Sequence, residues 1–63
     1  MNTTFSTKND ARTYINACLG GNDVSDATYE RLVSIAWRAW NRGGFAAVQH
    51  EVTIALRGLG WVL

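Results

Sequence analysis

The sequence predicts an all-α protein, a compact three-helix domain over residues 1–63 with helices at about 8–19, 24–42 and 45–57 and the second one central. Three observations carry this reading. Apolar residues recur at helical spacing in three successive segments. Those segments are separated by two glycine pairs, Gly20-Gly21 and Gly43-Gly44. No two segments alternate clearly with a period of two, and a strand needs a partner.

The first helix begins at a recognisable cap. Thr7 stands where an N-cap belongs, and Asp10 follows three positions later as a shortened capping-box acid. Ala11, Tyr14, Ile15 and Cys18 then fall at i, i+3, i+4 and i+7, with Arg12, Thr13 and Asn16 opposite. Gly20-Gly21 ends the helix, because glycine accepts the left-handed conformation that closes one. Ahead of it, Phe5 is the one large apolar residue able to tie down a polar terminus.

The second helix has Asp23 or Ser25 as its N-cap. Asp26 and Glu30 put negative charge near the positive helix end, and Arg38 and Arg42 put positive charge near the negative end. It carries two apolar stripes, one of Thr28, Leu32, Ile35, Ala36 and Ala39, the other of Tyr29, Val33, Ala36, Trp37 and Trp40. A helix apolar over so wide an arc touches neighbours on two sides.

The third segment places Phe45, Val48, Val52, Ala55, Leu56 and Leu59 at helical period. A competing pattern exists, since Val48, Val52, Ile54 and Leu56 also fit a period of two. That alternative makes residues 48–56 a strand and the fold α+β. Gly58 and Gly60 end the segment, and Trp61-Val62-Leu63 follows as an apolar tail.

Composition narrows the function classes. The chain has 63 residues, is 48% hydrophobic and 17% charged, and carries a net charge of +1. It has no apolar run near the ~18 residues of a spanning helix, so a membrane partner is not expected. One cysteine excludes an internal disulfide and a cysteine-based zinc site. The first residues lack the basic and apolar regions of a signal peptide, and the expected location is cytoplasmic.

Catalysis finds little support. His50-Glu51 matches the start of a zinc-protease motif, but Ile54 stands where the second histidine belongs. Cys18 lies on an apolar helix face, where a free thiol behaves as a small hydrophobe rather than a partner for His50. The glycine pairs lack the Lys-Ser/Thr of a phosphate loop. No enzyme activity, metal or cofactor is expected.

Binding residues are easier to nominate. Arg31, Arg38 and Arg42 share one face of the second helix, flanked by Trp37 and Trp40. Neither Arg38 nor Arg42 has an acid four residues earlier, although Glu51 or Asp10 would neutralise them if the fold brought either close. Arginine forks suit phosphates and carboxylates. The plain alternative for this stripe is a solvated helix side. Charge is also divided: residues 1–30 sum to −2 and residues 31–63 to +3. Three Trp, two Tyr and two Phe are many for one small core, and Trp61 in the apolar tail is the sharpest case. The tail has an equally plain alternative, folding back beside Phe5.

The expected function is therefore a small protein-interaction module that binds and inhibits or regulates a larger protein, of the kind phage and mobile elements use against host defence. Its partner is a protein or a second copy in a homodimer, met through Arg31, Arg38, Arg42, Trp37, Trp40 and Trp61. The alternative is a nucleic-acid-binding regulator that uses the arginine face or the third helix, where Gln49, His50, Thr53 and Arg57 are polar. The apolar start Phe45-Ala46-Ala47 weighs against that, since recognition helices make contacts at their N-terminal end.

Overall fold

The structure is a computed structural model that describes residues 4–60. It is all-α among those residues, and its order is α1 (Lys8–Leu19) then α2 (Asp26–Gly58). Two helices thus replace the expected three. The segments read as 24–42 and 45–57 are two arms of one bent helix, and the strand alternative for 48–56 is overturned, because those residues are helical.

The reason lies in what Gly43-Gly44 does. The pair leaves the helical region, at φ −149°, ψ 16° and φ 71°, ψ −159°, without inserting a loop. The break expected there is a sharp kink. At ~1.5 Å per residue, 33 straight residues would span about 50 Å. The longest principal extent is only 26 Å, so the arms fold back on each other.

Local signals set the ends of both helices. The Asp10 carboxylate accepts from the backbone N–H groups of Ser6 (2.6 Å) and Thr7 (3.1 Å), which satisfies orphan donors at the start of α1. Gly20 closes α1 in the left-handed conformation, φ 59°, and its N–H donates to the Asn16 carbonyl. Ser25 caps α2, its Oγ accepting from the Thr28 N–H at 3.2 Å.

The core draws on every arm. Phe5, Ala11, Ile15 and Leu19 pack with Leu32, Val33, Ala36 and Ala39 and with Val48, Val52 and Leu56. Each fully buried aliphatic side chain contributes about 1.5–3 kcal/mol. Outside the core, Arg12 of α1 donates to Glu30 of α2, and this contact raises the guanidinium pKa. Both side chains are well exposed, so the pair fixes orientation more than it adds stability.

The aromatic residues have a home. Phe5 stacks on Trp40 with centroids 5.1 Å apart and leans on Tyr14 at 5.8 Å, and Tyr14 meets Phe45 edge-on at 5.6 Å. Tyr29 and Trp37 pack against the same core. Phe5 thus does anchor the segment just ahead of α1 to the core. One core does accommodate the aromatics among the described residues, contrary to expectation, because they join three arms instead of crowding one. Trp61, with its tail, lies outside the described residues.

This packing has a titration signature. Burial, and to a lesser degree the Cys18 thiol one turn on, pushes the Tyr14 phenol up to about 12. In an unfolded chain it would ionise near ~10. The folded state then holds a proton that the unfolded state has lost, so this contribution to stability is intact below about pH 10 and declines as pH rises through about 12. A phenolate absorbance titration of a Tyr29→Phe variant, which leaves Tyr14 as the only tyrosine, is expected to give a midpoint well above ~10. A midpoint at the ordinary value would mean that Tyr14 is not held against the core.

Candidate functional site: a basic groove between the arms of α2

The arginine stripe becomes one wall of a groove. Arg31, Arg38 and Arg42 project from the first arm of α2, with Ile35 and Ala39 beneath them. Ile54, Ala55 and Glu51 come from the second arm. The groove continues toward the other end past Thr28 and Leu32 on one side and Gly58 and Leu59 on the other. The two sections enclose about 310 and 320 Å³ and share Arg31, Ile35, Ile54 and Ala55. Thr28 lies toward Leu59, and Arg42 toward Glu51, which makes the arms antiparallel.

Two features of this surface are chemically informative. The first is its apolar floor. Ile54 and Leu59 are the exposed large hydrophobic residues among those described, at 53% and 48%, and both line this one groove. Single exposed aliphatics are ordinary, but two in one concavity over Ile35 form a patch. The second is charge. Arg42 reaches Glu51 across the groove at 3.7 Å, with its own side chain 74% exposed. Arg31 and Arg38 have no carboxylate partner among the described residues. Asp10, the other candidate neutraliser, is occupied at the N-terminus of α1.

The tryptophans part company with the arginines. At ~100° per residue, Trp37 lies about a quarter turn from Arg38 and Trp40 lies nearly opposite it. Trp40 stacks on Phe5, and Trp37 packs on the core; neither lines the groove. The structure therefore unites Arg31, Arg38 and Arg42, separates Trp37 and Trp40 from them, and leaves Trp61 outside the described residues.

Ile54 is the site residue that sequence reasoning missed, and there was a signal for it. It falls outside the stripe 45, 48, 52, 55, 56, 59, as a large apolar residue among polar ones. The period-two pattern accounts for it only by making the segment a strand. Leu59 continues the apolar stripe by spacing, but it sits just past the helix end, in the cap position, and is exposed.

No metal-binding group of three or more His, Cys, Asp or Glu residues occurs among the described residues, and none of their helices is long and apolar enough to cross a membrane. Comparison with protein-family models, with curated proteins and with solved structures finds no match for the chain.

Proposed function

We propose that this chain is a small protein-interaction module that binds and inhibits or regulates a larger protein, and that the groove between the arms of α2 is where it does so. The observation that carries this reading is the meeting of Ile54 and Leu59 with Arg31 and Arg38 in one concave surface. Protein interfaces combine an apolar centre with a polar rim, and they are enriched in arginine. A site of this size on a small helical scaffold suits recognition, including the inhibitor role that short phage and mobile-element proteins often fill.

Two other occupants fit less well. Nucleic acid would meet Arg31 and Arg38, but the floor of Ile35, Ile54 and Leu59 offers phosphates nothing, and a net charge of +1 is small for a domain that coats a phosphate backbone. The other nucleic-acid route, through Gln49, His50 and Arg57, needs a helix presented steeply, as in helix-turn-helix proteins. Here the second arm runs alongside the first. A second copy is disfavoured by symmetry. A two-fold axis across the groove would set each arginine row against its own image, and like charges across an interface cost several kcal/mol, by order of magnitude; an axis along it would give the two arginine rows only one Glu51 each to share.

A photo-crosslinking amino acid at position 54, expressed in the native cell, tests the reading. The expected product is an adduct with a protein of a different sequence, absent when the crosslinker sits at Ala17 on the exposed side of α1. Adducts mainly with nucleic acid, or only with the chain itself, would contradict it.

A further inference from the structure

The groove also specifies the kind of segment it takes, an inference that rests on the protein-binding reading above. We propose that its occupant is an acidic amphipathic helix of the partner, laid along the groove between the two arms of α2.

Geometry favours a helix over an extended strand. An extended peptide gains affinity by hydrogen bonding to a free sheet edge, and the described residues contain no strand. Two antiparallel helical arms instead leave a furrow that a third helix fills, with apolar residues at i, i+3/i+4 and i+7 as its anchors. From Thr28 to Arg42 the wall is about 21 Å long at ~1.5 Å per residue, which matches a guest of roughly four turns. Its apolar anchors would rest on Ile35, Ile54 and Leu59.

Charge sets the rest. Glu51 engages Arg42 at one end of the groove, which leaves Arg31 and Arg38 to face the guest. They are seven residues apart, two helical turns, on the same edge of the arm. A guest helix with Asp or Glu at i and i+7 along the facing edge meets both. Arginine forks bind carboxylates in paired hydrogen bonds, and an apolar surround strengthens them. A basic guest would meet two arginines that no carboxylate among the described residues neutralises.

The test is a selection from a displayed library of random 16-residue peptides against the intact chain. The expected winners are net acidic, carry apolar residues at helical period, and become helical on binding. Measured as free peptides, they are expected to lose about tenfold or more in affinity to Arg38→Glu, and to a similar degree to Ile54→Asn. Both sites are on the surface, and circular dichroism of each variant is expected to match the wild-type helix content. Fluorescein-labelled duplex DNA is the counter-probe.

Winners that are neutral, basic or extended would overturn the acidic-helix proposal and leave the protein-binding reading standing. So would acidic winners indifferent to Arg38→Glu. No enriched peptide, together with salt-sensitive binding of the duplex, would overturn both.

Discussion

Phe5→Ala is expected to cost about 3–5 kcal/mol, the usual penalty for truncating a buried phenylalanine. Phe5 is only 5% exposed, and it joins Trp40 of α2 to Tyr14 of α1. Removing the ring leaves a cavity between α1 and the first arm of α2. A chain of 63 residues has about 3–9 kcal/mol of total stability. Denaturant melts of Phe5→Ala should therefore show most of that stability gone. Phe5→Leu, which keeps the burial and loses the stacking, is expected to lose only about 1 kcal/mol. Equal, small losses in both variants would mean that Phe5 is not part of the core.

Gly44→Ala is the second large effect. At φ 71°, ψ −159° the residue occupies a region essentially reserved for glycine, and a side chain there costs about 1–3 kcal/mol. The penalty is conformational, because a Cβ at Gly44 meets no atom within 4 Å beyond its own stretch of backbone. Relief by an altered backbone would straighten or re-aim the second arm and so reshape the groove. Two controls isolate this cause. Gly58 has ordinary dihedrals and open space, so Gly58→Ala should be neutral or slightly stabilising. D-alanine at 44, introduced by chemical synthesis, is at home at this φ and ψ, since their mirror image is an extended conformation that L residues favour. It should restore stability. Loss of stability with D-alanine as large as with L-alanine would mean that the kink is not held by this conformation.

The contrast between α1 and the groove explains what the sequence could reveal. Thr7, Asp10 and Gly20 are local signals, each acting within a turn, and α1 runs between them as expected. Ser25 and the Gly43-Gly44 break are local in the same way. What a glycine pair does to the chain beyond it is not local. Whether it starts a loop or bends a continuing helix depends on how Val48, Val52 and Leu56 find Leu32, Ala36 and Ala39 across the bend. The groove exists only after that packing. Arg31, Arg38 and Arg42 could be placed on one helix face from spacing alone. The residues facing them, Ile54 and Leu59, come from an arm whose position the spacing does not encode. Trp37 and Trp40 part from the arginines for a related reason. Proximity in sequence to Arg38 suggested one patch, whereas 100° per residue turns them toward the core.

In the proposed complex an acidic helix docks between the two arms of α2. The most direct measurement is a backbone amide NMR titration of the chain with a library-selected acidic peptide. Shifts are expected to concentrate at Arg31, Ile35, Arg38, Ile54 and Leu59, and to be absent in Arg38→Glu at the same peptide concentration. Shifts centred on Asn9, Thr13 and Asn16 of α1, or on the Phe5–Trp40 end, with the groove unperturbed, would contradict it.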